Sequence, residues 1–302
     1  MSSQSTLNIA SAQYPFDRHD SLEALEAKVR DWVAEGARTG ADLLVFPEYA
    51  AIEIAGCFGD VVSTDLQKTL ECVADLSERW VQLHAGLAKQ HGVHILVGSG
   101  PLRNGGGAYV NAAHLATPNG RVGFQEKMIM TPFEVEWGVQ PGSGLKVFET
   151  SIGRIGILIC YDCEFPLLAR AVVEAGAEIL LVPSCTERET GFNRVRIGAQ
   201  ARALEGGVVS VQSATVGEVL WSSVVDLNVG AAGIYVPPEQ GISTDGVIAC
   251  GGLNEPGWIV GDVNLETLKD LRVGGEMRNF NDWRAQPGAM ELREQVEVVS
   301  LL

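Results

Sequence analysis

Short apolar runs at residues 41–46, 93–98, 155–159, 178–182 and 208–213 are interleaved with longer segments whose apolar residues recur every three to four positions. That alternation is the strongest constraint on the fold, because buried strands separated by amphipathic helices close into sheets with helices on their faces. In residues 20–38, Leu22, Leu25, Val29, Trp32 and Val33 share one helical face, with Asp20 or Ser21 placed as N-cap. Residues 64–91 repeat the pattern through Leu66, Leu70, Val73, Leu76, Trp80, Leu83 and Leu87. Helices are also predicted over 164–175 and 191–205, and a first strand over 7–13. Two hairpins break the helix-linked rhythm. One joins 108–116 to 121–127 across Pro118-Asn119-Gly120, and the other runs from 145 to 160 and turns at Ile152-Gly153-Arg154. Residues 128–142 read as a loop. Strands linked both by helices and by hairpins predict mixed sheets covered by helices, a layered α/β domain.

The last hundred residues show a strand at 258–263, a short helix at 265–271 and a polar tail. No repeat or linker interrupts the chain, so one domain over 1–275 is expected, with 276–302 as a tail. The balance of 22 Lys+Arg against 38 Asp+Glu, a formal charge of -16, argues against nucleic acid or an anionic membrane surface as partner. The first residues lack the charged and apolar regions of a signal peptide, and no apolar run reaches the length of a membrane span. A soluble cytoplasmic protein is expected. Six scattered cysteines read as free thiols rather than a disulfide framework.

Three chemically competent residues fall at the carboxyl ends of predicted strands, where open α/β sheets bind ligands. Glu48 follows Pro47 at the end of one strand, Lys127 closes the first hairpin, and Cys160 ends the run Ile155-Gly156-Ile157-Leu158-Ile159. A thiol at a strand end and a helix start faces free N–H groups that favour the thiolate. None of the histidines at 19, 84, 91, 94 and 114 stands in a loop suited to a partner base. Glu48 can take the thiol proton instead, while Lys127 as ammonium lowers the thiol pKa and neutralises a developing oxyanion. Taken singly, each residue is as readily structural.

Their neighbours add weight. PEY at 47–49, EKMIMTPFEVEW at 126–137 and ICYDCEFPLLAR at 159–170 resemble, in order and spacing, the three signatures of the nitrilase superfamily of carbon-nitrogen hydrolases. VPSCTERETGFNRVRIGAQARALEGGVVSVQSA at 182–214 is similar to the family's continuation. The resemblance implies a four-layer αββα sandwich, a triad of Glu48, Lys127 and Cys160, and cleavage of a nonpeptide C–N bond of a small amide with no metal or cofactor. It also implies a further carboxylate at Glu134, with Glu136 as the alternative, and an oxyanion contact from the Tyr161 backbone N–H. Tyr49, Trp137, Glu164, Thr186 and Asn193 lie in loops near the triad and are candidates to line the substrate pocket. A homodimer or larger homo-oligomer is expected, with the tail at the subunit interface.

Within the superfamily the spelling CYDCEFP resembles amidase branches more than nitrile hydrolases. TPFEVEW and FNRVRIGAQARALE resemble a branch sometimes fused to an acetyltransferase domain, for which this chain is expected to leave no room. Competing readings are a nitrile hydrolase, a non-catalytic binding protein on the same fold, and a redox pair at Cys160 and Cys163. Cys163 reads instead as a core thiol, and Arg202 with Glu205 as a structural ion pair. Zinc at Cys160, Cys163 and Cys185 would need a fourth ligand that the spacing does not supply.

Overall fold

The computed structural model describes residues 6–289 and 296–302. Its first half runs β1 (Thr6–Pro15), α1 (Leu22–Arg38), β2 (Leu43–Val45), two single turns α2 (Glu53–Gly56) and α3 (Asp60–Ser63), α4 (Leu66–His91), β3 (His94–Arg103), β4 (Tyr109–Ala116) and β5 (Val122–Glu126). Ser21 caps α1, its Oγ accepting from Ala24 N at 3.2 Å. The predicted long helix begins at Leu66 rather than Thr64, because Asp65 caps it by accepting from Lys68 N at 3.0 Å. Gly92 ends it in the left-handed region, at φ 70°, which suits a residue without Cβ.

The second half runs α5 (Pro132–Glu136), β6 (Leu145–Thr150), β7 (Gly153–Ile157), α6 (Pro166–Glu174), β8 (Ile179–Ser184), α7 (Glu189–Gly206), β9 (Val209–Glu218), β10 (Leu227–Asn228), β11 (Gly233–Tyr235), β12 (Val247–Cys250), β13 (Gly257–Asn264), α8 (Leu265–Gly274), α9 (Asn279–Asp282) and β14 (Val296–Ser300). The loop expected over 128–142 therefore contains α5. Its five residues are too few to show a helical period, but Thr131 and Glu134 form a capping box with a proline at the first helical position.

One sheet carries β13, β1, β2, β3, β4 and β5, and the other carries β14, β6, β7, β8, β9, β11 and β12. They join edgewise where β1 and β9 run parallel, Gln13 opposite Ala214, Tyr14 opposite Thr215 and Pro15 opposite Val216. Alternation along β2 shows the layering. Leu43 and Val45 belong to the core shared with β7, β8 and β9, whereas Leu44 and Phe46 pack with residues of α1 and α4. On the second sheet, Gly156 lets α6 approach; a Cβ there would meet Val172 Cγ2 at 3.1 Å. The result is the αββα sandwich, with α1 and α4 covering one outer face and α6 and α7 the other.

Buried polar side chains tie the sheets together near the seam. Ser11 Oγ donates to Gln212 O at 2.8 Å, and Ser213 Oγ donates to Phe46 O at 3.1 Å, two residues before Glu48. The tail does not run free: β14 pairs in parallel with β6 of its own chain. Residues 290–295, also assigned to the tail interface, lie outside the described residues. No helix among the described residues is long and apolar enough to cross a membrane.

Candidate active site

Three strand ends converge on a cavity of about 580 Å³. Glu48 follows β2, Lys127 follows β5 and Cys160 follows β7 by three residues, so the residues read from the sequence do meet. Lys127 lies between two carboxylates, its Nζ 2.8 Å from Glu48 Oε1 and 2.7 Å from Glu134 Oε2, all three side chains almost fully buried. This arrangement selects Glu134 over Glu136, which is exposed and does not line the cavity.

Further partners hold each carboxylate. Glu134 Oε1 accepts from Tyr49 OH at 2.8 Å and from Asn111 Nδ2 at 3.0 Å, and its Oε2 accepts from Thr131 N at 2.9 Å. Glu48 Oε1 also accepts from Asn111 Nδ2 at 3.0 Å, and its Oε2 from the backbone N–H of Cys185 at 3.0 Å. Burial works against the Lys127 charge, but Glu48 and Glu134 together hold its pKa well above the ordinary value. Burial also works against the Glu134 charge; Lys127 and the Thr131 and Asn111 donors overcome it, so Glu134 titrates below its usual range. Glu48 goes the other way. Burial raises its pKa despite Lys127, and Glu134 adds to the rise. Of the two carboxylates, Glu48 is therefore the readier to accept a proton.

Cys160 opens a single 3₁₀ turn, Cys160–Glu164, and has φ 49°. A non-glycine residue held there stores about 1–3 kcal/mol of strain, and the turn presents the thiol to the cavity. The resting thiol is not activated as the sequence suggested. Burial and the Glu48 charge hold its pKa well above the ordinary value, and Lys127 only partly opposes them. The α-helix expected from 164 begins at Pro166, so the residue stands on the short turn rather than at a long helix's N-terminus. Cys160 is thus a protonated thiol that needs a base. N–H groups in the first turn of a helix lack intrahelical partners, which leaves that of Tyr161 available to a ligand.

Asp162 supports this turn. Its carboxylate accepts from Ile129 N at 2.8 Å, Met128 N at 3.1 Å and Ile159 N at 3.3 Å, tying the residues after Lys127 to the strand before Cys160. Neither Asp162 nor Asn111 was anticipated from the sequence. Tyr49, Trp137, Glu164 and Thr186 line the cavity as expected, whereas Asn193 does not; Tyr161, expected for its backbone N–H, lines it too. On α7 the cavity is lined by Thr190, Gly191, Arg194 and Val195, and Asn193 is not among the lining residues. Cys163 is buried, its Sγ 3.5 Å from Val195 O, and Arg202 Nε lies 3.1 Å from Glu205 Oε2, as the core-thiol and ion-pair readings required.

Elsewhere, Asp17, His19 and Glu53 converge closely enough to suggest a cation site. Lys28 already bridges the two carboxylates, its Nζ 2.6 Å from Glu53 Oε1 and 2.8 Å from Asp17 Oδ2.

A four-layer sandwich with a lysine between two buried carboxylates and a thiol at neighbouring strand ends defines a narrow class of protein. Residues 8–272 match the carbon-nitrogen hydrolase family, and the chain belongs to it. It is 33% identical over 279 residues to a probable hydrolase of Bacillus subtilis, YhcX, across 92% of this chain and 54% of that protein. A zebrafish omega-amidase is 25% identical, over 80% of this chain and 82% of its own length. The chain thus spans about half the length of the Bacillus relative. Among solved structures, a carbon-nitrogen hydrolase from Helicobacter pylori superimposes with a TM-score of 0.75 at 17% identity, covering 93% of this chain and 95% of that one. A mutant amidase from Nesterenkonia, with the acetamide moiety of fluoroacetamide on its active-site cysteine, superimposes with a TM-score of 0.68 at 23% identity, covering 92% and 94%. At these identities the structures speak for the fold.

Proposed function

We propose that this protein hydrolyses a small amide through a thioester on Cys160. The observation that carries the reading is the Lys127 ammonium fixed between Glu48 and Glu134 on the cavity that Cys160 lines. Membership of the family supports hydrolysis of a C–N compound, and the omega-amidase and deaminated glutathione amidase among its relatives, beside nitrilases, support an amide as that compound.

The chemistry follows from the charge states. Glu48 takes the Cys160 proton, and sulfur attacks the carbonyl carbon as the C–O π pair moves to oxygen. Lys127 and the Tyr161 N–H stabilise that oxyanion. When the carbonyl re-forms, the C–N bond breaks; Glu48 returns its proton to nitrogen, and ammonia or an amine leaves behind a thioester. Glu48 then takes a proton from water, and the hydroxide attacks the thioester. The C–S bond breaks, sulfur regains a proton from Glu48, and the carboxylic acid departs. Glu134 holds Lys127 throughout.

Intact-mass spectrometry of wild type quenched in acid during turnover of a primary amide, together with ammonia release by wild type and Cys160→Ala, tests this. Ammonia from wild type alone is expected, with an acyl adduct on Cys160 in the quenched wild type. Undiminished hydrolysis by Cys160→Ala would overturn the reading.

A further inference from the structure

Asn111, in β4, stands directly opposite Lys127. The β4–β5 ladder continues one residue past Glu126, where the Lys127 N–H donates to Asn111 O at 2.8 Å. Residues that face each other across an antiparallel pair carry their side chains to the same face, so the strand sets a neutral amide beside the ammonium. The side chain is fully buried. Its Nδ2 donates to Glu48 Oε1 and to Glu134 Oε1, each at 3.0 Å, which uses both N–H groups of the amide. Its Oδ1 meets no donor among the described residues, and the reverse orientation would set that oxygen against two carboxylates. Packing alone does not favour an asparagine whose donors go to neighbouring carboxylates while its own oxygen goes unpaired.

The two oxygens of Glu48 are therefore unequal. Oε1 accepts from Lys127 Nζ at 2.8 Å and from Asn111, which fills the two lone-pair directions of a carboxylate oxygen. Among the described residues Oε2 accepts from Cys185 N alone, at 3.0 Å, and keeps one direction open. Cys160 Sγ lies 3.9 Å from the carbonyl oxygen of the same Cys185, so the residue that holds Oε2 also neighbours the thiol. The open direction on Oε2 is the one suited to a proton from sulfur.

Asn111 also separates the carboxylates. Two buried carboxyl groups that approach each other with no donor between them share a proton, and a proton held there is lost both to sulfur and to the leaving nitrogen. Lys127 does not prevent this by itself. It reaches Glu134 through Oε2 and leaves Oε1 to Asn111 and Tyr49.

Resting on the amide-hydrolase reading, we propose that Asn111 is a positioning residue. With Lys127 it occupies Glu48 Oε1, it keeps Glu48 and Glu134 from sharing a proton, and it so reserves Glu48 Oε2 for the proton that travels from Cys160 to the leaving nitrogen. Asn111→Leu keeps a similar size without the donors, and Asn111→Val replaces it should the first not fold. Carbon-13 NMR titration of the glutamate carboxyls in Cys160→Ala, with Glu48 assigned by its loss in Glu48→Gln, reads the effect without turnover. Loss of a donor disfavours the ionised carboxylate, so Asn111→Leu should raise the Glu48 titration by about one pH unit. Tyr49→Phe, which takes a donor from Glu134 alone, should move Glu48 far less. With Cys160 intact, ammonia release is measured from acetamide, butyramide, succinamate and 3-phenylpropionamide. Asn111→Leu should lower kcat by about ten- to a hundredfold with KM changed less than about threefold, and the acid limb of kcat/KM should rise with Glu48. A Glu48 titration that Asn111→Leu leaves in place, or that Tyr49→Phe moves equally, overturns the inference and leaves the hydrolase reading standing. An unchanged kcat and acid limb do the same. A shifted Glu48 with no ammonia from wild type on any of the four amides overturns the hydrolase reading and leaves the hold of Asn111 on Glu48. Neither a shift nor ammonia overturns both.

Discussion

Replacing Asp162 tests the link between the two catalytic strand ends. In Asp162→Ala the N–H groups of Met128, Ile129 and Ile159 lose their acceptor. A buried donor left unpaired costs about 1–3 kcal/mol. Met128 and Ile129 are only half-buried, so water can reach them, and a loss of about 2–4 kcal/mol is expected. Asp162→Asn keeps the shape and one acceptor oxygen. Placed at Oδ1, that oxygen still serves Ile129 and Met128, and the loss is the Ile159 bond, about 1 kcal/mol.

The two substitutions separate further with pH. Burial raises the Asp162 carboxyl from 3.8 to about 7, so in that interval the folded state binds more protons than the unfolded one. The stability from this group is complete below about pH 4 and lost as pH rises to 7, about 4 kcal/mol if no other group compensates. Asp162→Asn has no such loss. It should be the less stable protein at pH 4, where wild type has lost little of this contribution, and exceed wild type at pH 8, measured by urea unfolding at each pH. Because Met128 directly follows Lys127, Asp162→Ala should also lower kcat by about ten- to a hundredfold with little change in KM. Parallel stability curves for wild type and Asp162→Asn across pH 4–8, or an undiminished kcat in Asp162→Ala, would refute the reasoning.

Two other substitutions probe the charge arrangement and the packing. Glu48→Gln removes a negative charge that raises the Cys160 pKa, so iodoacetamide should alkylate that thiol at lower pH than in wild type even as turnover is lost; an upward shift would contradict the assignment. Gly156→Ala drives a methyl to 3.1 Å from Val172 and 3.2 Å from Leu180. It should cost about 1–3 kcal/mol, read as a lower midpoint in urea.

How much of this was legible in the chain depended on where the information lay. Cys160 and Glu48 stand at the ends of apolar runs and Lys127 closes a hairpin, so strand-end logic located them, and the neighbouring motifs supplied Glu134. Asn111 gave only a faint signal, one amide in the apolar strand YVNAAHLA, and its two acceptors come from distant segments. Cys185 takes part through its backbone N–H, a contact that any residue type can make. The thiol's protonation could not be read either, because it turns on burial and on Glu48 across the fold. The strand at 296–300 alternates weakly and forms only because β6 offers it an edge.

The seam between β1 and β9 carries a consequence for assembly of the protein. Glu48 and Lys127 end strands of one sheet, and Cys160 and Cys185 end strands of the other. On the proposed mechanism, each sheet alone therefore holds an acid–base pair without a nucleophile, or a nucleophile without its base. During refolding, a thiol-reactivity pH profile that responds to Glu48 should arise last, after both hydrophobic layers have formed, and would report the docking of one half of the chain on the other.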